Sequence, residues 1–163
     1  MTDEETIQAE LVARFPFMRD KVRVQRPRRV WAEVGQDHFA EVFGCLAREM
    51  RFTMLSAITG LDRGETLGLI YHLARENGLV LSLATGVPKA QPVVETVTPL
   101  FACADVYERE VADLLGFQVQ GLPEGSRYPL PDGWPAGQYP LRKDWKPESL
   151  GDAKAGKGGP TGG

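Results

Sequence analysis

The densest group of chemically capable side chains in this 163-residue sequence lies on one short segment: Asp105, Glu108, Arg109, Glu110 and Asp113. Two carboxylates in unlike environments can divide acid and base roles, because burial and neighbouring charge push their pKa values apart. The spacing here argues for something else. Asp105 and Asp113 each stand four residues from Arg109, the separation that stacks side chains on one helix face. Such a ladder contributes only about 0.3–0.5 kcal/mol per exposed pair. As a stabilising device the charges are poorly used. As a polar contact face, solvated or docked on a partner, they make sense. A free-standing carboxylate enzyme built on Glu108, Glu110 and Asp113 is the competing reading from a different class.

Other chemistry is thinly represented. His38 and His72 are isolated, with no Ser or Cys elbow and no carboxylate at triad spacing. Cys45 and Cys103 are the only cysteines and form no C-x-x-C arrangement, so a four-ligand zinc site or an iron–sulfur cluster is not expected. The glycines make neither G-x-G-x-x-G nor a Walker sequence. The expectation is a chain with no catalytic, cofactor or metal site of its own.

The stretch after the acidic segment is more telling. Tyr128, Trp134, Tyr139 and Trp145 are spaced along a segment stiffened by Pro123, Pro129, Pro131, Pro135 and Pro140. Free in water these rings would be a solubility burden. Aromatic and Arg anchors are what interfaces favour, and proline lowers the entropy lost when an extended segment docks. Arg142, Lys143 and Asp144 close the stretch with charges able to pair with a partner. Packing of this arm on its own domain is the alternative; docking on a separate protein is favoured.

Elements that must position these residues follow from pattern. Thr2 to Glu5 fits a capping box, and Ile7, Leu11 and Phe15 follow at helical spacing until Pro16. Lys21–Gln25 and the alternating Val30, Ala32 and Val34 predict two strands. Phe39, Val42, Phe43, Leu46 and Met50 line one face of a second helix. A meander is predicted next: a strand over Arg51–Ile58, a turn over Gly60–Gly64, a strand carrying Leu67, Leu69, Tyr71 and Leu73, an Asn77-Gly78 turn, and a strand from Leu79 broken at Gly86-Val87-Pro88. Pro92–Val97 adds a short strand. Thr98-Pro99 reads as the start of a third helix, with Leu100, Ala104, Tyr107, Val111, Leu114 and Leu115 buried and Gly116 as its cap. After Phe117 the periodicity stops. The predicted class is α+β, a largely antiparallel sheet with two to three helices on one face and then an extended Pro-rich arm. The divisions are residues 1–117 for the domain, 118–147 for the docking arm and 148–163 for a loose tail.

The apolar and charged fractions, 42% and 25%, are those of an ordinary globular protein. The net charge of -3 argues against general nucleic-acid binding. The basic run Arg19, Lys21, Arg23, Arg26, Arg28 and Arg29 reads as a solvated strand face. Sparse cysteine suits a reducing compartment. The first residues lack the pattern of a signal peptide, and no apolar run is long enough to span a bilayer. A cytoplasmic protein is expected, touching a membrane only through a partner.

Glu108-Arg109-Glu110, Asp113-Leu114, Gly116-Phe117 and Pro140-Leu141-Arg142-Lys143-Asp144-Trp145 together resemble the signature of the C-type subunit of the NADH–quinone oxidoreductases. That family is the small α/β subunit of respiratory complex I, and includes counterparts in membrane-bound [NiFe] hydrogenases and formate hydrogenlyases. The resemblance implies a cofactor-free accessory subunit on the cytoplasmic face of the inner membrane. Its acidic helix and arm would dock on the large catalytic subunit beside an iron–sulfur subunit, through Glu108, Arg109, Glu110, Asp113, Tyr128, Trp134, Tyr139, Arg142, Lys143, Asp144 and Trp145. Iron–sulfur clusters and a nickel–iron centre, or FMN in the NADH enzyme, would belong to those partners. Respiratory members carry Gly-His-Pro where this chain has Gly121-Leu122-Pro123 and, before Leu141, Gln138-Tyr139-Pro140. With Pro131-Asp132-Gly133-Trp134-Pro135, this looks more like the hydrogenase branch.

Overall fold

The computed structural model describes residues 1–151; the predicted tail lies outside them from residue 152 onward. Helix α1 (Asp3–Arg14) starts in the expected capping box, with Thr2 and Glu5 bonding each other's backbone N–H. Glu4 of its first turn is buried and accepts from the N–H of Arg28. That contact pins α1 to the turn between β1 (Val22–Arg26) and β2 (Arg29–Glu33). Helix α2 (Gln36–Arg48) follows, then the meander β3 (Met54–Asp62), β4 (Thr66–Ala74) and β5 (Val80–Pro88).

These strands form one sheet in the order β1-β2-β5-β4-β3. Its pairings are antiparallel except β2 with β5, which are parallel because α2 and the meander intervene. Leu69, Tyr71, Leu73, Leu81, Leu83, Val30 and Ala32 line one face and are buried against Ile7, Leu11, Phe39, Phe43, Leu46, Val111 and Leu115 from the helices. Tyr71 is the hub: its ring lies 4.9 Å from Phe39 and 5.3 Å from Phe43, and burial pushes its hydroxyl pKa upward. The opposite face carries Trp31, Thr59, His72 and Ser82. Thr59 and Ser82 each sit 3.0 Å from a ring nitrogen of His72, whose pKa burial lowers. The predicted α+β class and the largely antiparallel sheet are what the chain adopts.

Four details differ from the sequence pattern. Gly60 to Asp62 belong to β3 and the turn is only Arg63-Gly64-Glu65. Gly60 is glycine for close approach, not for a turn: a Cβ there would stand 2.4 Å from Leu115 Cδ1. Strand β5 does not break at Gly86 but runs to Pro88, which pairs with Thr66 at the strand end, where a missing N–H is tolerated. Helix α3 (Ala104–Leu115) begins six residues after Thr98, since Leu100 and Phe101 both bond Val97 O in a separate turn. Finally, β6 (Val93–Glu95) is joined in parallel by β7 (Gln118–Gln120), just past Phe117. Three residues are too few for periodicity to reveal.

Gly60→Ala forces α3 away from β3, and overpacking of this kind destabilises by about 1–3 kcal/mol. A lower urea midpoint with an unchanged m-value would register it.

Candidate interaction site of helix α3 and the arm

The residues singled out in the sequence meet on and around α3, and most are satisfied within the chain. Glu108 is 2% exposed. Its carboxylate accepts the Val97 N–H at 2.7 Å and the Thr96 hydroxyl, so it closes the turn between β6 and α3. Burial holds its pKa above the usual value, partly offset by those two hydrogen bonds. Sequence reasoning missed Thr96 and Val97 as its partners. A hydroxyl-rich Thr-x-Thr before the helix is the signal that was there to read.

The predicted ion ladder is only half formed. Arg109 grips Asp105 with Nε and Nη2, the latter at 2.8 Å, and donates to Pro123 O. Asp113 instead faces Arg127 of the arm, whose Nε and Nη2 reach Oδ1 at 3.0 and 2.8 Å. Asp113 Oδ2 accepts the Leu130 N–H at 3.0 Å. The correction has a geometric cause: Asp113 is buried on the side over which the arm returns, away from the Asp105–Arg109 pair. Arg127, absent from the predicted residues, is the cation that organises this turn. Its Nη1 also donates to Trp134 O.

Further on, the arm crosses the end of α3. Gly116 caps the helix at φ 80°, and a Cβ there would stand 2.6 Å from the Tyr139 ring and 2.7 Å from Arg142. Arg142 Nε donates to Leu115 O at 2.7 Å while its guanidinium lies over Tyr139. This places a cation on the carbonyl end of the helix, where the dipole favours it. Trp134 and Trp145 pack 6.1 Å apart, and both indole N–H groups donate to Gln138, one to its backbone and one to its side chain. Lys143 N–H and Lys89 Nζ both reach Asp62 Oδ2 at 2.8 Å, and Lys89 also contacts Asp144 at 3.0 Å. The Lys89 ammonium and the backbone donors hold the Asp62 carboxyl far below the usual range. The arm thus lies along its own domain over Pro123–Trp145. The side chains of Glu110 and Tyr128, by contrast, make no hydrogen bond or ion pair with the described residues, although their neighbours Tyr107, Leu130 and Arg127 do. Tyr128 is 48% exposed beside Val106, also 48% exposed.

No arrangement suited to acid–base catalysis results. Of the α3 carboxylates, Asp105, Glu108 and Asp113 are each taken up by different partners, and Glu110 has none among the described residues. A cleft of about 550 Å³ between α2 and β6 is lined mainly by apolar residues such as Phe39, Phe43, Val94 and Leu100, with Arg48 and a single carboxylate, Glu95, in its polar lining. Among the described residues, no group of three His, Cys, Asp or Glu side chains is placed to hold a metal.

Fold and site define a small α+β domain with a polar-clasped arm. Residues 32–149 match the family described as respiratory-chain NADH dehydrogenase, 30 Kd subunit, and the chain belongs to that family. It is 32% identical over 147 residues to the C subunit of the F(420)H(2) dehydrogenase of Methanosarcina mazei, covering 88% of this chain and 92% of that one. It is 27% identical over 158 residues to the membrane-bound hydrogenase subunit beta of Pyrococcus furiosus, covering 92% and 91%. Among solved structures, a chain of the membrane-bound sulfane sulfur reductase, an archaeal respiratory membrane complex, shares the fold at TM-score 0.81 and 23% identity, over 99% of this chain and 96% of that one. A trypsin-resistant fragment of Nqo5 matches at TM-score 0.57 and 26% identity, over 72% and 98%.

Two outcomes follow from the clasps. Asp113→Ala leaves Arg127 and the Leu130 N–H without their acceptor, at a cost of about 1–3 kcal/mol; tryptic cleavage after Arg127 should accelerate relative to the unaltered chain. Asp62 stays charged when folded at pH values where the unfolded chain has taken up the proton. Its contribution is therefore full above about pH 4 and declines as pH falls further. Fluorescence of Trp134 and Trp145 should report the arm loosening in that acid range, and Asp62→Asn should show the loosened signal already at neutral pH.

Proposed function

We propose that this chain is a cofactor-free accessory subunit of a membrane-associated electron-transfer complex, docking through α3 and the arm on the large catalytic subunit beside an iron–sulfur subunit. The observation that carries the reading is the arm itself. Its polar contacts are made inward, through Asp113–Arg127, Leu115–Arg142 and Asp62–Lys143, while Tyr128 and Val106 are left outward. Family membership supports the same conclusion, as do relatives whose names make them subunits of a dehydrogenase and of a membrane-bound hydrogenase. No described helix is long and apolar enough to cross a membrane; the place proposed for the subunit is peripheral, on the cytoplasmic face of the inner membrane.

A [NiFe] hydrogenase-type complex is the favoured setting. The hydrogenase relative aligns over nearly the whole of both chains, and the Gln138-Tyr139-Pro140 form departs from the respiratory Gly-His-Pro pattern. The second reading is the C-type subunit of an NADH–quinone oxidoreductase, favoured by the 29% identity to that subunit of Moorella thermoacetica over 87% of this chain and 95% of that one. Clusters, nickel–iron centre or FMN belong in either case to the partners.

Truncation after Arg127 keeps the Arg127–Asp113 ion pair and removes the Leu130 N–H together with the aromatic arm. The remaining domain should stay folded by circular dichroism while recovery of the large subunit with tagged chain collapses; recovery equal to that of the full chain overturns the docking role. The identity of the co-purified subunits then separates the two settings, a nickel-binding large subunit with paired C-x-x-C motifs selecting hydrogenase and flavin- and nucleotide-binding subunits selecting the NADH enzyme.

A further inference from the structure

Strand β3 is the last strand of the five-stranded sheet, and among the described residues no strand pairs with its outer side. Long exposed edges are ordinarily blunted by charge, proline or a cover, because their unpaired N–H and C=O groups recruit other chains. From Met54 to Leu61 this edge has no charged residue and no proline. Only its first part is partly covered, where Cys103 and Tyr107 donate to the carbonyls of Leu55 and Ser56.

A groove of about 350 Å³ runs along the remainder. Ala57, Ile58, Thr59 and Gly60 all line it. Consecutive residues alternate between the two faces of a sheet, so a cavity touching four in a row lies against the strand's edge. The far wall is α3 with Glu110 and Leu114, and the arm with Leu141, which is 58% exposed. Glu110 has no bonding partner among the described residues, in contrast to Glu108 and Asp113 on the same helix.

We infer that this groove receives an extended segment of a partner polypeptide, which adds a sixth strand to the sheet on β3. The chemistry of the site specifies the segment: a Lys or Arg reaching Glu110, and an apolar side chain against Leu114 and Leu141, with main-chain hydrogen bonds supplying affinity and side chains the selectivity. The inference rests on the reading of this chain as a subunit and adds the mode of contact, at a surface separate from Tyr128 and Val106.

The test compares amide hydrogen exchange in the free full-length chain and in the complex isolated with it from cells that make its partners. Every second amide between Ala57 and Leu61 points away from β4, and these should slow on the order of 100-fold in the complex. Unchanged exchange there, in a complex that has formed, overturns the added strand while leaving the subunit reading intact; failure to recover any complex removes both. Protection that grows with the concentration of the free chain would mean a second copy occupies the edge, and also overturns the inference. Glu110→Lys should lower partner recovery at least about tenfold through like-charge repulsion without moving the free chain's melting temperature. Unaltered recovery overturns the assignment of a cation to Glu110.

Discussion

Carboxylates leave water at tolerable cost only where N–H and O–H donors converge on them. Glu108 meets that condition through the Val97 N–H and the Thr96 hydroxyl, and the consequence extends beyond one residue. By holding the turn between β6 and α3, it fixes where α3 starts relative to the small parallel sheet, and so where α3 lies over β3. The close approach at Gly60 then becomes necessary, because Val111 and Leu115 have nowhere else to pack.

Asp113 and Asp62 extend the same rule to the arm. A segment rich in proline and glycine makes few backbone bonds with itself, here only short turns such as Trp134 N–H to Pro131 O and Arg142 N–H to Tyr139 O, and two of its N–H groups are taken by side chains of the domain. Leu130 donates to Asp113 and Lys143 to Asp62. The arm is held along α3 at three places, by Arg109 on Pro123 O, by the fork of Arg127 on Asp113, and by Arg142 on Leu115 O. Gly116 has to lack a side chain for the third of these, since Tyr139 and Arg142 occupy the space a Cβ would need.

Much of this was legible in the sequence, and the remainder was hidden for definable reasons. Capping, helical spacing of apolar residues and the alternation of β4 are local patterns, and they located α1, α2 and the meander. Gly60 was misleading because glycine marks close approach as well as turns, and only packing tells the two apart; Gly86 simply continues β5, paired with Gly68. Periodicity cannot register β7, which owes its existence to a partner strand far away in the chain. The charged helix is where the i,i+4 rule fell short, because that rule assumes an isolated helix. It paired Asp113 with Arg109, whereas the returning arm supplied Arg127.

The arm is held differently from the domain beneath it. In the domain, apolar side chains form the core, and the few buried carboxylates, Glu4 and Glu108 among them, are met by N–H or O–H donors. In the arm, the inward contacts are largely ionic or hydrogen-bonded, and Tyr128 and Leu141 are among the most exposed large apolar residues of the chain. Ionic contacts give the arm a defined path in the free protein, yet exposed ones add little stability once screened by solvent; Asp144, 71% exposed beside Lys89, is the plainest example. Apolar area is worth about 25 cal/mol per Å² when it leaves water; Trp134, Tyr139 and Trp145 are partly buried, while Tyr128 and Leu141 keep theirs exposed. Polar groups thus set the arm's course along its own domain, and Tyr128 and Leu141 are the apolar side chains left in water, on which the proposed docking rests.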